Sequence, residues 1–287
     1  MVTVARARPE DIANCVALLP RLAFPETNWL TARDGDAVVG AAGLVWLSSG
    51  DDASFPIAVE VLPSARRRGV GRALVAAAQD LADGETDALH SALPIAADDP
   101  AGAFAEACGF TPSRRSFEFL VGTQEIVAHM AALVSRLRRS GRVPDSARVV
   151  AARDADRFEL AHLVATEFHN GPIGVYNGLT GDTLAPDGRL GHSLAVLDGD
   201  FLAGACLWTL DGEHHGAVEA NVVAPTARRG WANALLVEAT VRAMRDAGAD
   251  SFRFSCDEHV RDTVNIATRG GGAKTATKIV WRQALAS

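Results

Sequence analysis

Six consecutive residues, Arg66-Arg67-Arg68-Gly69-Val70-Gly71, put three cations and two glycines at the predicted opening of a helix. Glycine lets a backbone come close to a ligand, and the free N–H groups and dipole of a helix start favour a pyrophosphate. The spacing is neither the GxGxxG of a dinucleotide fold nor the GxxxxGK[ST] of a P-loop. A solvated basic turn is the competing reading. Two carboxylates, Glu60 and Glu219, lie on predicted strands that lead into such turns. Either suits a general base, or an exposed or salt-bridged strand position. His169 and His192 suit a pocket wall or the surface, and His214-His215 follow Asp211-Gly212-Glu213 in a predicted hairpin turn. The chain's single tyrosine, Tyr176, sits in a glycine-rich loop.

The elements that position these residues occur twice. Val2–Arg6 reads as a strand, followed by Arg8-Pro9-Glu10-Asp11 and a helix through Ile12, Val16 and Leu19; Pro9 and the acids suit its first turn. Arg148–Ala152 is followed in the same way by Arg153-Asp154-Ala155-Asp156 and a helix through Phe158, Leu160 and Leu163. Asp34-Gly35 and Asp198-Gly199 mark a hairpin in each half. Ala58–Pro63 and Ala220–Pro225 read as strands ended by proline, each leading through a basic loop into a helix, Arg72 to Leu81 and Asn233 to Ala247. Two units of this size indicate duplication. Between them, Gln124 to Ser140 has apolar residues at helical spacing and arginines at its C-terminal end.

Val61-Leu62-Pro63, Arg66, Gly69, Gly71 and Ala73-Leu74 together resemble the acetyl-CoA loop of the GNAT superfamily, V-x-P-x-x-[RQ]-x-x-G-x-[GA]-x-x-L. Ala101–Phe110 resembles the family's closing A-x-x-F-Y-E-x-x-G-F segment, so the resemblance covers about residues 2 to 120. Residues 147 to 284 resemble the family less fully. Arg229-Gly230-Trp231-Ala232-Asn233 keeps G-x-[GA], the step from Pro225 to Gly230 is one residue shorter, and Ala227 stands where the family has Arg or Gln. The resemblance implies cofactor contacts from Val59, Val61, Arg66, Arg67, Arg68, Gly69, Val70, Gly71 and Arg72 in the first half. In the second half it implies Val223, Arg229, Gly230, Trp231, Ala232 and Asn233, although Trp231 could instead pack the helix start. It also implies direct attack of an amine on the thioester of acetyl-CoA or another short acyl-CoA. Glu219, Glu60 and Tyr176 are then the candidate catalytic residues. The family's tyrosine acid is absent from Phe104-Ala105-Glu106, and Asn265 falls near the matching place in the second half.

The expected fold is therefore α/β (α+β mixed): two tandem GNAT domains, each a mixed, mostly antiparallel twisted sheet flanked by helices. The boundaries read as 1–122, a connecting helix and linker at 123–146, and 147–287. A net charge of −7 disfavours nucleic-acid and membrane partners and tilts the substrate towards a small amine. Four dispersed cysteines offer no metal-ligand spacing and suit a reducing, cytoplasmic setting, and no apolar run spans a bilayer. A monomer with pseudo-dimeric halves or a homodimer both fit the duplication. Two alternatives stay open: catalysis in the C-terminal half alone, with a structural first half, and a non-catalytic acyl-CoA-binding protein.

Overall fold

The computed structural model describes residues 2–23, 27–45, 54–167, 179, 181–212, 214–228 and 230–285, apart from the side chains at 261 and 262. The chain divides into two compact units, Met1–Arg115 with Lys278–Ser287, and Ser116–Gly171 with Val175–Thr277.

In the first unit the strands β1 (Val2–Arg6), β2 (Thr27–Asp34), β3 (Ala37–Val45) and β4 (Ser54–Val61) form an antiparallel run. β5 (Ala88–Ser91) joins β4 in parallel, and a short β6 (Ile95–Ala96) follows it. The last strand of this sheet comes from the chain's C-terminal end: β13 (Ala273–Ala284) pairs antiparallel with β5 through Arg282–Ala284 and with β6 through Lys278 and Ile279. Asp34-Gly35 makes the expected hairpin, with Gly35 at φ +61°. The left-handed conformation suits glycine because it has no Cβ to clash. Helix α1 (Ile12–Leu18) seals one face with Cys15. On α2 (Val70–Ala82), Val70, Leu74, Ala78 and Ala82 form a buried stripe four residues apart, packed on Leu30, Ala32, Ala42 and Leu44. Helix α3 (Pro100–Ala107) is capped by Asp99, whose carboxylate accepts from the Ala101 N–H at 2.8 Å.

The second unit repeats the plan. β8 (Ala147–Ala151), β9 (Leu194–Asp198), β10 (Phe201–Asp211) and β11 (His215–Val223) are antiparallel, and β12 (Ser251–Asp257) joins β11 in parallel. Its outer partner is β7 (Thr111–Gly122), whose residues 116–122 pair antiparallel with β12. Helix α4 (Thr123–Arg139) buries Ile126, Met130, Val134 and Leu137 against α7 (Trp231–Asp246), so the expected connecting helix is part of this unit's core. α5 (Arg157–Glu167), α6 (Gly181–Leu184) and α8 (Arg261–Arg269) complete it. Each unit is thus the expected mixed, mostly antiparallel sheet flanked by helices.

The same irregularity marks both sheets. Pairing skips Val39 in β3 and Ala203 in β10, one residue before Gly40 and Gly204. Those glycines sit against Leu74 and Leu236, whose methyl carbons lie 3.2 and 2.9 Å from where a Cβ would be. Helix and sheet therefore meet at matched points in the two units.

Trp281 is buried in the first unit, its ring 3.2 Å from where a Cβ on Gly102 would stand. Ending the chain at Thr277 removes this ring and the β5 pairing, and loss of a buried tryptophan costs about 3–5 kcal/mol. Hydrogen exchange is expected to lose protection at Ala88–His90 while Ala195–Leu197 in β9 stays protected. Unchanged protection at β5 would show that β13 is dispensable to the unit.

Candidate functional site

β4 and β5 are paired from Ser54–Ala88 to Ile57–Ser91 and then part, leaving Ala58–Val61 bonded on its β3 side only. The chain then turns through Pro63–Ala65, with Arg66 extended, Arg67 at φ +62° and Gly69 at φ +80° as the N-cap of α2. The first helical bond runs from the Ala73 N–H to the Gly69 carbonyl, at 3.0 Å, and no side chain caps the helix. The N–H groups of Val70, Gly71 and Arg72 are consequently left for a ligand or solvent. A Cβ on Gly69 would meet nothing within 4 Å, and one on Gly71 would come 3.0 Å from the Phe104 ring. This is an open cradle for an anion with a close-packed wall behind it.

The three arginines differ. Arg66 folds back on the strand end, its Nε donating to the Val61 carbonyl and its Nη2 to Glu60, both at 2.9 Å. The N–H of Val61 donates to the same Glu60 carboxylate at 3.3 Å. Arg68 pairs with Asp34 at 2.9 Å and holds that carboxyl below the usual carboxylate range. Arg67 is exposed and has no carboxylate partner among the described residues, so its charge is free for a phosphate. Val59 and Val61 are half-buried beside the opening, and Arg72 is exposed on the first turn.

In the second unit β11 and β12 pair only from His215–Ser251 to Ala217–Arg253 before parting. Pairing of β10 with β11 steps from Leu207–Ala220 to Trp208–Val218, so Glu219 is a bulge residue without a counterpart in β4. The opening holds a cavity of about 200 Å³. Val218, Val237, Val241, Phe252, Phe254 and Ile266 give it apolar walls, and Glu219, Asn221, Asn233, Thr240 and Asp257 bring polar atoms to it.

Packing also sets the register between the two loops. Pro63 and Pro225 open equivalent turns that bury Ala65 and Ala227. The buried stripe Val70, Leu74, Ala78, Ala82 corresponds to Ala232, Leu236, Thr240, Met244. Arg228 therefore matches Arg66, and Ala227 matches Ala65, not an arginine. Trp231 takes the place of Gly69, and Asn233 that of Gly71. The loop is shorter because α7 winds one residue further back, its left-handed cap now at Gly230 with φ +89°. The Trp231 side chain packs in the core beside Ala232, and Val223 is half-buried at the strand end. Arg228 is ion-paired to Glu167 at the end of α5, and Glu219 pairs with Arg189 at 3.2 Å. Asn221, the counterpart of Val59, donates its Nδ2 to the Asn233 Oδ1 at 2.8 Å. Sequence reading had no reason to single out Asn221, Thr240 or Glu167; only packing brings them to one opening.

The closing helices match as well. Gly109 and Gly271 have φ +88° and +79°, and the N–H groups of Phe110 and Gly272 bond back to Ala105 and Ala267. Both residues at the tyrosine position are therefore alanine, and Asn265 is exposed elsewhere on α8. The His192 ring lies tilted beside Trp208, with centroids 5.5 Å apart, and His215 lies in β11 with Nδ1 2.8 Å from the Ser251 hydroxyl. Tyr176, His169 and Arg229 lie outside the described residues.

Residues 6–110 match the acetyltransferase (GNAT) family, so the chain carries a GNAT acetyltransferase domain. No curated protein sequence matches the chain. Among solved structures it is similar to a tandem GNAT protein from the clavulanic acid biosynthesis pathway, at 18% identity and TM-score 0.63 over 100% of this chain and 99% of that one. It is also similar to a GCN5-related N-acetyltransferase from Sphaerobacter thermophilus, at 16% identity and TM-score 0.57 over 100% and 96%. A third, from Anabaena variabilis, has 11% identity and TM-score 0.66 over 100% and 73%. At such identities the likeness speaks for the fold, which is that of the tandem GNAT proteins. No helix among the described residues is long and apolar enough to cross a membrane.

Burial sets the thiols of both units apart from ordinary cysteines, raising Cys15 and Cys256 to about 11 and Cys206 to about 12 from 9.0. Thiolate is the reactive form, and two pKa units correspond to about a hundredfold less of it. Native protein at pH 8 is expected to react with a thiol reagent about a hundredfold more slowly at Cys15 and Cys256, and about a thousandfold more slowly at Cys206, than urea-unfolded protein does. The linkage has a definite sign: with the folded values raised, the stabilisation is complete below 9.0 and fades as pH climbs from 9.0 towards 11. Thermal midpoints that held steady across that window would contradict the burial.

Proposed function

We propose that the protein is an acyl-CoA-dependent N-acyltransferase that uses acetyl-CoA, bound at the first unit's loop, and acylates the primary amine of a small molecule. The observation that carries this reading is the uncapped start of α2, with free N–H groups, open space at Gly69 and the unpaired Arg67. These features suit a pyrophosphate by charge, by donor count and by clearance. Val59 and Val61 line the way into the sheet opening, where the unpaired edge of β4 offers backbone groups to an amide-bearing chain. When bound, the thioester supplies the electrophile.

Glu60, at the open end of β4, is the proton acceptor for the attacking amine in this reading. Its bonds to Arg66 and to the Val61 N–H hold the carboxylate at the strand end. With alanine at position 105, the leaving thiolate departs as the anion. Thiolate is a far better leaving group than an alkoxide, so the missing acid lowers the rate without closing the route. A second reading moves acyl-CoA and catalysis to the second unit with Glu219 as base, and the cavity beside that bulge favours it. A third keeps acyl-CoA binding without any transfer.

Calorimetric titration with acetyl-CoA separates the readings. One site is expected, weakened about tenfold by Arg67→Gly, whose glycine suits φ +62°, consistent with loss of one charge-assisted contact. Gly71→Glu, which adds negative charge and crowds Phe104, is expected to abolish that site. One site surviving in Gly71→Glu would move the cofactor to the second unit. Binding without turnover across a panel of primary amines would leave the acyl-CoA-binding reading standing.

A further inference from the structure

The two units are internal controls for each other, and the lining of the sheet opening is where their side chains part. Where β4, β3 and α2 present Val59, Ala42, Gly71 and Ala78, the second unit presents Asn221, Cys206, Asn233 and Thr240. Positions without a hydrogen-bonding side chain have become polar ones, and all four of the second set line one cavity.

Two atoms of that set, Asn221 Oδ1 and Thr240 Oγ1, are buried without a hydrogen-bond partner among the described residues. Thr240 is only 2% exposed, and the Cys206 thiol beside it is a weak partner for a hydroxyl. Buried polar atoms in folded proteins are nearly always satisfied, so two in one cavity mark a place for an occupant that hydrogen-bonds. Their chemistry narrows the occupant. The Nδ2 of Asn221 is committed to Asn233 at 2.8 Å, which leaves the amide oxygen, an acceptor only. The occupant must therefore donate to Asn221, whereas the Thr240 hydroxyl can give or take.

The carboxylates that reach the cavity are already engaged. Glu167 pairs with Arg228, Glu219 pairs with Arg189 at 3.2 Å, and Asp257 accepts from the His259 N–H at 3.0 Å and has a further partner. A buried cation would have to draw one of them from its partner or go without a counter-charge, which is costly. An anion would face the same carboxylates and the Asn221 oxygen.

We propose that the cavity of the second unit binds a small uncharged molecule with an apolar body and a hydroxyl or primary amide head. Val218, Val241, Phe252 and Ile266 hold the body. The head donates to Asn221 Oδ1 and accepts from the Thr240 hydroxyl. A cavity of about 200 Å³ lies below the ~300–1,000 Å³ of drug-sized pockets, which limits the body to a single ring or a short alkyl chain. The first unit, with Val59 and Ala78 in the matching places, offers neither polar atom. The proposal goes beyond the acyltransferase reading and stands or falls separately from it.

Chemical-shift titration of the full chain with benzyl alcohol and benzamide tests it. The comparators are anisole, an isomer of benzyl alcohol without a donor, and benzylamine, which is charged at neutral pH. Benzyl alcohol and benzamide are each expected to bind one site and move the amide signals of Val218 and Val241. Anisole and benzylamine are expected to bind at least about tenfold more weakly, as the loss of one good hydrogen bond implies. Thr240→Val and Asn221→Leu are each expected to narrow the gap between benzyl alcohol and anisole while anisole binding holds, with thermal melting confirming the fold. No binding of benzyl alcohol or benzamide, anisole or benzylamine binding as tightly as benzyl alcohol, displacement of benzyl alcohol by acetyl-CoA, or an unchanged gap in both variants would overturn the proposal. Loss of acetyl-CoA binding in Gly71→Glu, or its absence altogether, bears only on the acyltransferase reading.

Discussion

Everything near the two openings follows from one backbone constraint: a pair of parallel strands that begins hydrogen-bonded and then diverges. Each strand of such a pair carries N–H and C=O groups that must find partners, because an unmet backbone group in a protein interior is costly. In the first unit the divergence begins after Ile57, and the Val61 groups are met by side chains, the carbonyl by Arg66 and the N–H by Glu60. These contacts are local and exposed, so a competing amide chain can replace them at low cost. The proline that follows each strand reinforces the divergence, since it cannot donate to a continuing ladder.

The second unit obeys the same constraint with different side chains. Its strands part earlier, after Ala217, and the bulge at Glu219 re-aims the residues that follow. Arg228, at φ −67° and ψ 8°, does not repeat the extended conformation of Arg66 at φ −66° and ψ 159°, and α7 starts one residue further back, so a change of one residue in loop length alters which chemistry the opening can meet. Duplication makes this divergence tolerable, since one copy can keep its loop while the other is free to drift. The two cores show no such drift, for Gly40–Leu74 and Gly204–Leu236 keep the same helix-on-sheet contact.

Much of this was legible in the residues. The hairpins at Asp34-Gly35 and Asp198-Gly199, the proline-ended strands and the helix starts all follow from local chemistry, and the structure has them. The loop pattern from Val61 to Leu74 carried the family because its glycines and arginine are set by backbone requirements. Long-range pairing was not legible. Nothing in Lys278–Ser287 announces that it completes the sheet of the first unit, since any alternating apolar strand satisfies β5 equally well. The register of the second loop misled for a related reason. Counting from Gly230 aligned the glycines, whereas burial of Ala227, Leu236 and Thr240 aligned the helices, and packing decides where a backbone sits.

The alanines at 105 and 267 bear on what chemistry either unit can support. Each is buried against its own core at the place where the closing helix faces the sheet, so neither unit presents a phenol from that helix position. A thiolate leaving group tolerates this, because its ordinary pKa lies within reach of neutral pH, whereas an alkoxide would need the acid. In the proposed acyl transfer the constraint then falls on the nucleophile, which must arrive as a free amine beside a carboxylate. That requirement makes proton removal the step most sensitive to the side chains on β4 and β11.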